Sequence, residues 1–206
     1  MTTSYFNPFK KVDVYIVRHA ETDMDNIFEG WLDPLLNADG IRTLDEITNF
    51  FSYERVGKVV TSDLQRCLQT AGAIMATGNV CTPVLELDFN LRPLNIGELA
   101  GQPKNTKNRN KLQYYHDHPE TVIPGGESVI GFDGRAEKTL NYFAYRYEDL
   151  PTVLVTHSSN IAALYKLTQK TDEYHELVAP GGIIALYLNE RDGSIQMAPC
   201  TRAVEV

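Results

Sequence analysis

The stretch V-D-V-Y-I-V-R-H-A-E-T, residues 12–22, decides the fold of this chain. Its first half is a short run of β-branched and aromatic residues, which is typical of a strand. From Arg18-His19 onward the side chains are polar. A parallel strand that passes directly into polar residues at its carboxyl end is a common place for a ligand to bind. The stretch therefore predicts both a central strand and a nearby site.

Similar runs recur along the chain and alternate with helical patterns. Further strands are predicted at 56–60, 84–87, 152–156 and 182–188, and apolar spacing predicts helices at 39–51, 64–75, 127–145 and 161–167. Ser62-Asp63 and Ser158-Ser159-Asn160 are the expected N-caps of the second and fourth helices. This alternation predicts an α/β fold with a largely parallel sheet and helices on both faces.

Length and composition fit one globular domain over residues 1–206. The chain has 206 residues, of which 43% are hydrophobic and 22% charged. Residues 101–124, with their Pro, Asn, Lys and Tyr content, interrupt the alternation and are expected to form an excursion that covers this site. The single-domain prediction includes this excursion.

Charge and cysteine content exclude several classes of function. A formal net charge of -8 argues against a nucleic-acid-binding surface. No window approaches the roughly 18 apolar residues of a membrane span, and residues 1–11 lack the apolar stretch of a signal peptide. Cys67, Cys81 and Cys200 form no C-x-x-C pair, which favours reduced thiols. We therefore expect a soluble cytoplasmic protein with no membrane or nucleic-acid partner.

Polar clusters follow three of the predicted strands directly. They contain Arg18 and His19 after the first strand, Arg66 after the second, and His157 with Ser158 after the strand at 152–156. Because the carboxyl ends of parallel strands meet at one edge, these clusters are expected to converge. Arginine matches the geometry of phosphate oxygens, and a neutral histidine among arginines can attack phosphorus. A second, protonated histidine would stabilise the transferring phosphoryl group without a metal.

Several motifs occur in the order found in the histidine phosphatase superfamily, in its phosphoglycerate-mutase-like branch with an R-H-G-E-T signature. V-R-H-A-E-T at 17–22 resembles that signature, and T-S-D-L-Q-R with Q-T-A at 61–71 resembles S-S-D-L-x-R-x-x-Q-T-A. G-W-L-D-P-L at 30–35, P-G-G-E-S at 124–128 and V-L-V-T-H at 153–157 resemble the other elements, with Arg135 at the usual later arginine. The resemblance spans roughly residues 12–188. It implies a phosphoglycerate-mutase-like fold, phosphorylation of His19 during turnover, and a phosphoryl group held by Arg18, Arg66 and His157.

The chain departs from the family pattern at a substrate-binding position. Asp25 stands where the family usually has an asparagine, six residues after the nucleophile, so Asn26 is predicted to make the phosphate contact instead. Thr22 and Ser158 are predicted to bind substrate as well.

A second departure concerns the acid that protonates the leaving group. Pro93 stands at the position of the glutamate that does so in the family, and proline has no acid–base chemistry. The nearby candidates are Glu98 and Glu127, and Asp25 is a more distant one; water or a substrate group is the remaining alternative. Glu127 is preferred, because the G-G-E-S element is expected near the pocket.

These observations predict a phosphomonoester hydrolase that acts on a small phosphorylated metabolite through a phosphohistidine, with no cofactor and no metal. His116-x-His118 lacks further ligand spacing and does not predict a metal site. A phosphoglycerate mutase and a catalytically impaired phosphate-binding protein remain as alternatives. Basic residues of the excursion either attract a second anionic group or form a solvated face; they are Lys104, Lys107, Arg109 and Lys111. The sequence indicates neither the substrate nor the oligomeric state.

Overall fold

One mixed sheet organises the chain. The computed structural model describes residues 12–82, 84–144, 149–169, 178–188 and 194–200. Within these residues the sheet has six strands in the order β3-β2-β4-β1-β5-β6. The strands are β1 Val14–Arg18, β2 Lys58–Thr61, β3 Leu85–Leu87, β4 Thr152–Thr156, β5 Ile183–Leu188 and β6 Ile195–Pro199.

Strand direction confirms the predicted α/β fold with a largely parallel sheet. Strands β3, β2, β4 and β1 are parallel, whereas β5 pairs antiparallel with β1 and β6 antiparallel with β5. The sequence analysis does not predict β6. Its side chains are half-buried or exposed and it ends at a proline, so it has little of the apolar alternation that marks a core-facing strand.

Helices cover both faces of the sheet, as predicted. They are α1 Ala38–Phe51, α2 Gln65–Met75, α3 Thr106–Asp117, α4 Val129–Ala144 and α5 Ser158–Gln169. Alternate side chains of β1 enter different cores: Ile16 packs in the cluster that contains Phe132 of α4, and Val17 in the cluster that contains Phe51 of α1. Complete burial of one such side chain contributes roughly 1.5–3 kcal/mol. None of the helices in the described ranges is long and apolar enough to cross a membrane.

Neither predicted N-cap occupies the capping position, although Ser62 Oγ does accept from the amide of Leu64 at 3.4 Å. Helix α2 begins after Leu64, which makes no side-chain cap, and the backbone amide of Gln65 donates instead to Asp33 Oδ1 at 2.6 Å. Helix α5 begins at Ser158, so the three expected capping residues lie inside its first turn. The cap of α2 therefore comes from a residue remote in the chain, which a local pattern cannot reveal.

Helix α3 occupies much of the excursion at 101–124, where no helix was predicted. Asn105 caps it by accepting from the amide of Asn108 at 3.0 Å, and Tyr115 is its buried residue. The rest of the helix is strongly polar, which masks its periodicity. Helix α4 starts two residues after the predicted position 127, and Tyr145, the predicted end, lies outside the described residues.

Candidate active site

The carboxyl ends of three neighbouring parallel strands form the edge of a cleft. Arg18 pairs with Thr156 across β1 and β4, and Thr61 pairs with Val155 across β2 and β4. The residues that follow these strands therefore meet, as predicted. The cleft has a volume of about 340 Å³, and its lining includes six of the predicted site residues: Arg18, His19, Thr22, Arg66, His157 and Ser158.

His19 is held as a neutral imidazole that presents one nitrogen to the cleft. The residue is 5% exposed, and Nδ1 lies 2.8 Å from the carbonyl oxygen of Ala20. A carbonyl only accepts, so Nδ1 donates and carries the proton, and the lone pair remains on Nε2. Burial, followed by the charges of Arg66 and Arg18, lowers the pKa of His19 to about 3. Near neutral pH, His19 is therefore in the form that a nucleophile requires.

His157 lies beside His19, with ring centroids 5.0 Å apart. Its Nε2 is 3.0 Å from Ser62 Oγ and 3.4 Å from the sulfur of the buried Cys67. Burial lowers the pKa of His157 well below its usual value, and the neighbouring His19 and Arg66 lower it further. The protonated form assumed in the sequence analysis is therefore not favoured in the unliganded cleft. A bound phosphate dianion would favour it.

Two arginines make the inner end of the cleft, next to the carboxyl ends of the strands, basic. Both already donate hydrogen bonds to backbone carbonyls of the protein. Arg66 is fully buried and donates to the carbonyls of Leu32 at 2.7 Å and Gly30 at 3.0 Å. Arg18 donates from NH1 to the carbonyl of Val178 at 2.8 Å. Arg66 therefore also positions the loop that follows Glu29.

Glu29 is the residue at this site that the sequence analysis missed. Its Oε2 lies 3.3 Å from Arg66 Nε and 3.8 Å from His19 Nε2, and Thr22 donates from its hydroxyl to Oε1. The side chain is 19% exposed. The available signal was its position directly before Gly30-Trp31, the start of the G-W-L-D-P-L motif.

Asn26 does not take the predicted phosphate contact. It is exposed and does not line the cleft, whereas the neighbouring Asp25 does. The backbone carbonyl of Asn26 instead accepts from the amide of Lys104 at 2.8 Å. This part of the prediction is corrected: Asp25, and not Asn26, lines the cleft.

Glu127, the preferred proton donor, is also placed elsewhere. It does not line the cleft. Arg135 donates to both carboxylate oxygens, from Nε at 3.1 Å and NH2 at 2.8 Å, and the amide of Asn95 donates to Oε1 at 2.8 Å. Arg135 also donates to the carbonyls of Asn90, Arg92 and Pro93. Glu127 thus anchors the loop that carries Pro93, and Glu98 forms an ion pair with Lys111 away from the cleft.

Close backbone packing explains the glycines beside Glu127. A Cβ on Gly126 would lie 2.2 Å from the carbonyl oxygen of Asn95, and a Cβ on Gly97 would lie 2.1 Å from that of Pro124. Gly97 also has φ +47°, which favours glycine. The G-G-E-S element therefore supports one wall of the cleft from behind.

Glu127→Gln is expected to reduce stability and leave catalysis nearly intact. The amide keeps an oxygen for Asn95 but loses the charge that pairs with Arg135, at a cost of about 1–2 kcal/mol. This corresponds to a fall of roughly 2–8 °C in the thermal midpoint for a chain of this size. Glu98→Gln, which alters an exposed pair, is the matched control and should leave the midpoint unchanged. A large loss of kcat at an unchanged midpoint would contradict this structural role.

The outer part of the cleft is mainly apolar. It is lined by Met24, Phe28, Leu94, Ile96, Leu112, Phe132 and Ala162. Among the described lining residues, Lys104 is the one lysine or arginine outside the inner end, and its ammonium donates to the carbonyl of Asp25 at 2.8 Å. Arg109 instead donates to the carbonyl of Lys104. The basic residues of the excursion thus give the cleft one cation.

The described residues contain no cluster of three or more His, Cys, Asp or Glu side chains arranged to hold a metal ion. His118 lies on the surface, where its Nδ1 is 2.9 Å from the carbonyl of Tyr114, whereas His116 lines the cleft. These two histidines are therefore not arranged as a ligand pair.

Comparisons with known proteins give a consistent family pattern. The model of the histidine phosphatase superfamily, branch 1, matches residues 14–196. A probable phosphoglycerate mutase GpmB of Proteus mirabilis is 27% identical over 171 residues, which cover 80% of this chain and 78% of that protein. The fructose-2,6-bisphosphatase TIGAR of Xenopus tropicalis is 30% identical over 131 residues, which cover 62% of this chain and 48% of that protein. A mycobacterial glucosyl-3-phosphoglycerate phosphatase structure superimposes with a TM-score of 0.73 at 21% identity, over 91% of this chain and 96% of that chain.

Proposed function

We propose that this chain, which belongs to the histidine phosphatase superfamily, branch 1, is a phosphomonoester hydrolase. The proposed enzyme needs no metal and works through a phosphohistidine at His19. The observation that carries the proposal is the state of His19: a buried, neutral imidazole with Nε2 facing the cleft beside Arg66. The predicted substrate is a small phosphorylated metabolite. The nucleophile and the groups that hold the phosphoryl group are side chains of the described residues, namely His19, Arg18, Arg66 and His157.

The chemistry follows from these positions. Nε2 of His19 attacks phosphorus, the N–P bond forms, and the bond from phosphorus to the alcohol oxygen breaks. Arg18 and Arg66 compensate the charge on the phosphoryl oxygens, and His157 adds a further donor once the dianion favours its protonation. Water then attacks phosphorus, which releases inorganic phosphate and restores His19.

A phosphoglycerate mutase is the second candidate, supported by similarity to GpmB. A mutase must hold a substrate with a second anionic group and return the phosphoryl group to it before water attacks. The outer cleft offers Lys104 and otherwise mainly apolar walls, which favours the hydrolase. A phosphate-binding protein without turnover is the third candidate, motivated by Pro93.

The decisive experiment separates these candidates. Purified protein is incubated with 4-nitrophenyl phosphate and with 3-phosphoglycerate primed by 2,3-bisphosphoglycerate, and released phosphate and 2-phosphoglycerate are measured. We expect phosphate release from the aryl ester and a trapped, acid-labile phosphoryl group on the peptide containing His19. Formation of 2-phosphoglycerate without matching phosphate release would favour the mutase. Calorimetric binding of inorganic phosphate without turnover would favour the binding protein.

A further inference from the structure

We propose that Glu29 is the general acid of this enzyme and donates the proton to the leaving-group oxygen. The inference rests on the proposed phosphatase function and assigns the role left open by Pro93. Among the described residues, Glu29 is the carboxyl group that pairs with both His19 and Arg66, with Oε2 3.8 Å from His19 Nε2 and 3.3 Å from Arg66 Nε. Its other oxygen accepts from Thr22.

The other carboxyl groups of the cleft are less suited to this role. Within the described lining they are Glu21 and Asp25. Glu21 accepts from the Asn37 side chain at 3.0 Å, which directs it toward the start of α1. Asp25 is exposed to solvent. Glu29 alone combines partial burial with direct contact to the catalytic cluster.

Substrate binding would favour uptake by Glu29 of the proton that it later donates, and that proton comes from solvent. The inner cleft contains the charges of Arg18 and Arg66, and both histidines are neutral because their pKa values are lowered. A phosphate dianion placed next to an ionised Glu29 repels it, and uptake of a proton by the carboxyl group removes that repulsion. The substrate thus favours the protonated carboxyl form from which a general acid donates.

The carboxyl group must move when substrate binds. A phosphorus atom in position for attack lies about 3–3.5 Å from the nucleophile. Oε2, at 3.8 Å from Nε2, therefore lies in the space that the phosphoryl group takes. The glutamate side chain has rotatable bonds that let it turn aside, and an in-line leaving group extends away from His19 toward the outer cleft. The proposal requires the displaced carboxyl group to reach the leaving-group oxygen of the bond that breaks.

The proton balance closes over both steps. As the phosphorus–oxygen bond breaks, the protonated Glu29 gives its proton to the alkoxide oxygen and becomes a carboxylate. In the second step this carboxylate accepts a proton from the water that attacks the phosphohistidine. The net reaction converts a phosphomonoester and water into an alcohol and inorganic phosphate.

The test compares leaving groups. 4-Nitrophenolate leaves readily without a proton, whereas the alkoxide of benzyl phosphate needs one. We expect Glu29→Gln to lower kcat/KM for benzyl phosphate by about 10²–10⁴-fold and to lower that for 4-nitrophenyl phosphate by less than about tenfold. Glu29→Asp, which keeps an acid on a shorter side chain, should recover part of the benzyl phosphate rate. Asp25→Asn, the control for a second carboxyl group in the cleft, should keep the wild-type ratio between the two esters.

Other outcomes overturn the proposal in distinguishable ways. Equal losses on both esters in Glu29→Gln and Glu29→Asp would assign Glu29 to phosphate positioning. A higher kcat/KM for both esters in Glu29→Gln would mean that the Glu29 carboxylate only competes with the phosphate of the substrate. A loss confined to benzyl phosphate in Asp25→Asn would assign the general acid to Asp25. In each case turnover and the trapped phosphohistidine of the wild type would leave the proposed function standing. Absence of wild-type turnover with either ester would overturn both.

Discussion

His19→Ala is expected to lower kcat/KM for any phosphomonoester by about 10⁴-fold or more, with no trapped phosphoenzyme. The variant removes the nitrogen whose lone pair faces the cleft, and loss of a nucleophile has effects of this size in enzymes that form covalent intermediates. His157 is poorly placed to substitute, since its Nε2 lies against Ser62 and Cys67. The pKa of His19, lowered to about 3 by burial and the arginines, keeps the proposed nucleophile of the wild type neutral. The loss should therefore be the same at every assay pH above about 4.

The measurement is kcat/KM with 4-nitrophenyl phosphate, together with circular dichroism to establish that the variant folds. His118→Ala is the matched control, because His118 is an exposed histidine that caps the carboxyl end of α3 and does not line the cleft. It should retain wild-type activity. Residual turnover within about 100-fold of wild type in His19→Ala would contradict a phosphohistidine at this position.

Arg66→Met is expected to impair both stability and catalysis. The guanidinium is fully buried, bonds the carbonyls of Gly30 and Leu32, and faces the Glu29 carboxylate. Its removal leaves these acceptors unpaired inside the protein. Loss of one partner from such an arrangement costs about 3–5 kcal/mol, or roughly 6–20 °C in the thermal midpoint. Loss of one phosphate-compensating charge should also lower kcat/KM by about 10²-fold or more.

Thermal unfolding by circular dichroism and aryl phosphatase kinetics measure the two effects. Arg42→Met is the control, since Arg42 forms an exposed pair with Asp39 on α1. That change should alter the free energy of unfolding by less than about 0.5 kcal/mol and leave kcat/KM unchanged. A midpoint for Arg66→Met equal to that of Arg42→Met would show that the buried hydrogen bonds of Arg66 contribute little.

The placement of the basic cluster was predictable from local patterns. Apolar runs of strand length mark β1, β2 and β4, and polar residues follow each run directly. Parallel strands share an edge, so Arg18, His19, Arg66 and His157 had to meet once the alternation with helices was recognised. No long-range information beyond the parallel topology was needed.

The partner of each carboxyl group was not predictable in this way. Glu127 lies in a recognisable motif, yet Arg135 and the amide of Asn95 bind it away from the cleft. Glu29 has no local signal of comparable strength, yet it lies beside His19 and Arg66. The cap of α2 shows the same limit, because Asp33 reaches Gln65 from a different part of the chain.

Strands, helices and the convergence of the basic residues thus follow from the order of side chains along the chain, because periodicity and burial act over neighbouring residues. Charge pairing in the cleft follows from the folded structure, because it depends on which loops pack together. Here Gly97 and Gly126 let two backbone segments approach, which places Glu127 behind the cleft wall, and Arg66 draws the Glu29 loop inward through its carbonyls. Electrostatic interactions act between atoms close in space, whatever their separation in sequence, and that is why the position of Glu29 beside His19 depends on the tertiary structure.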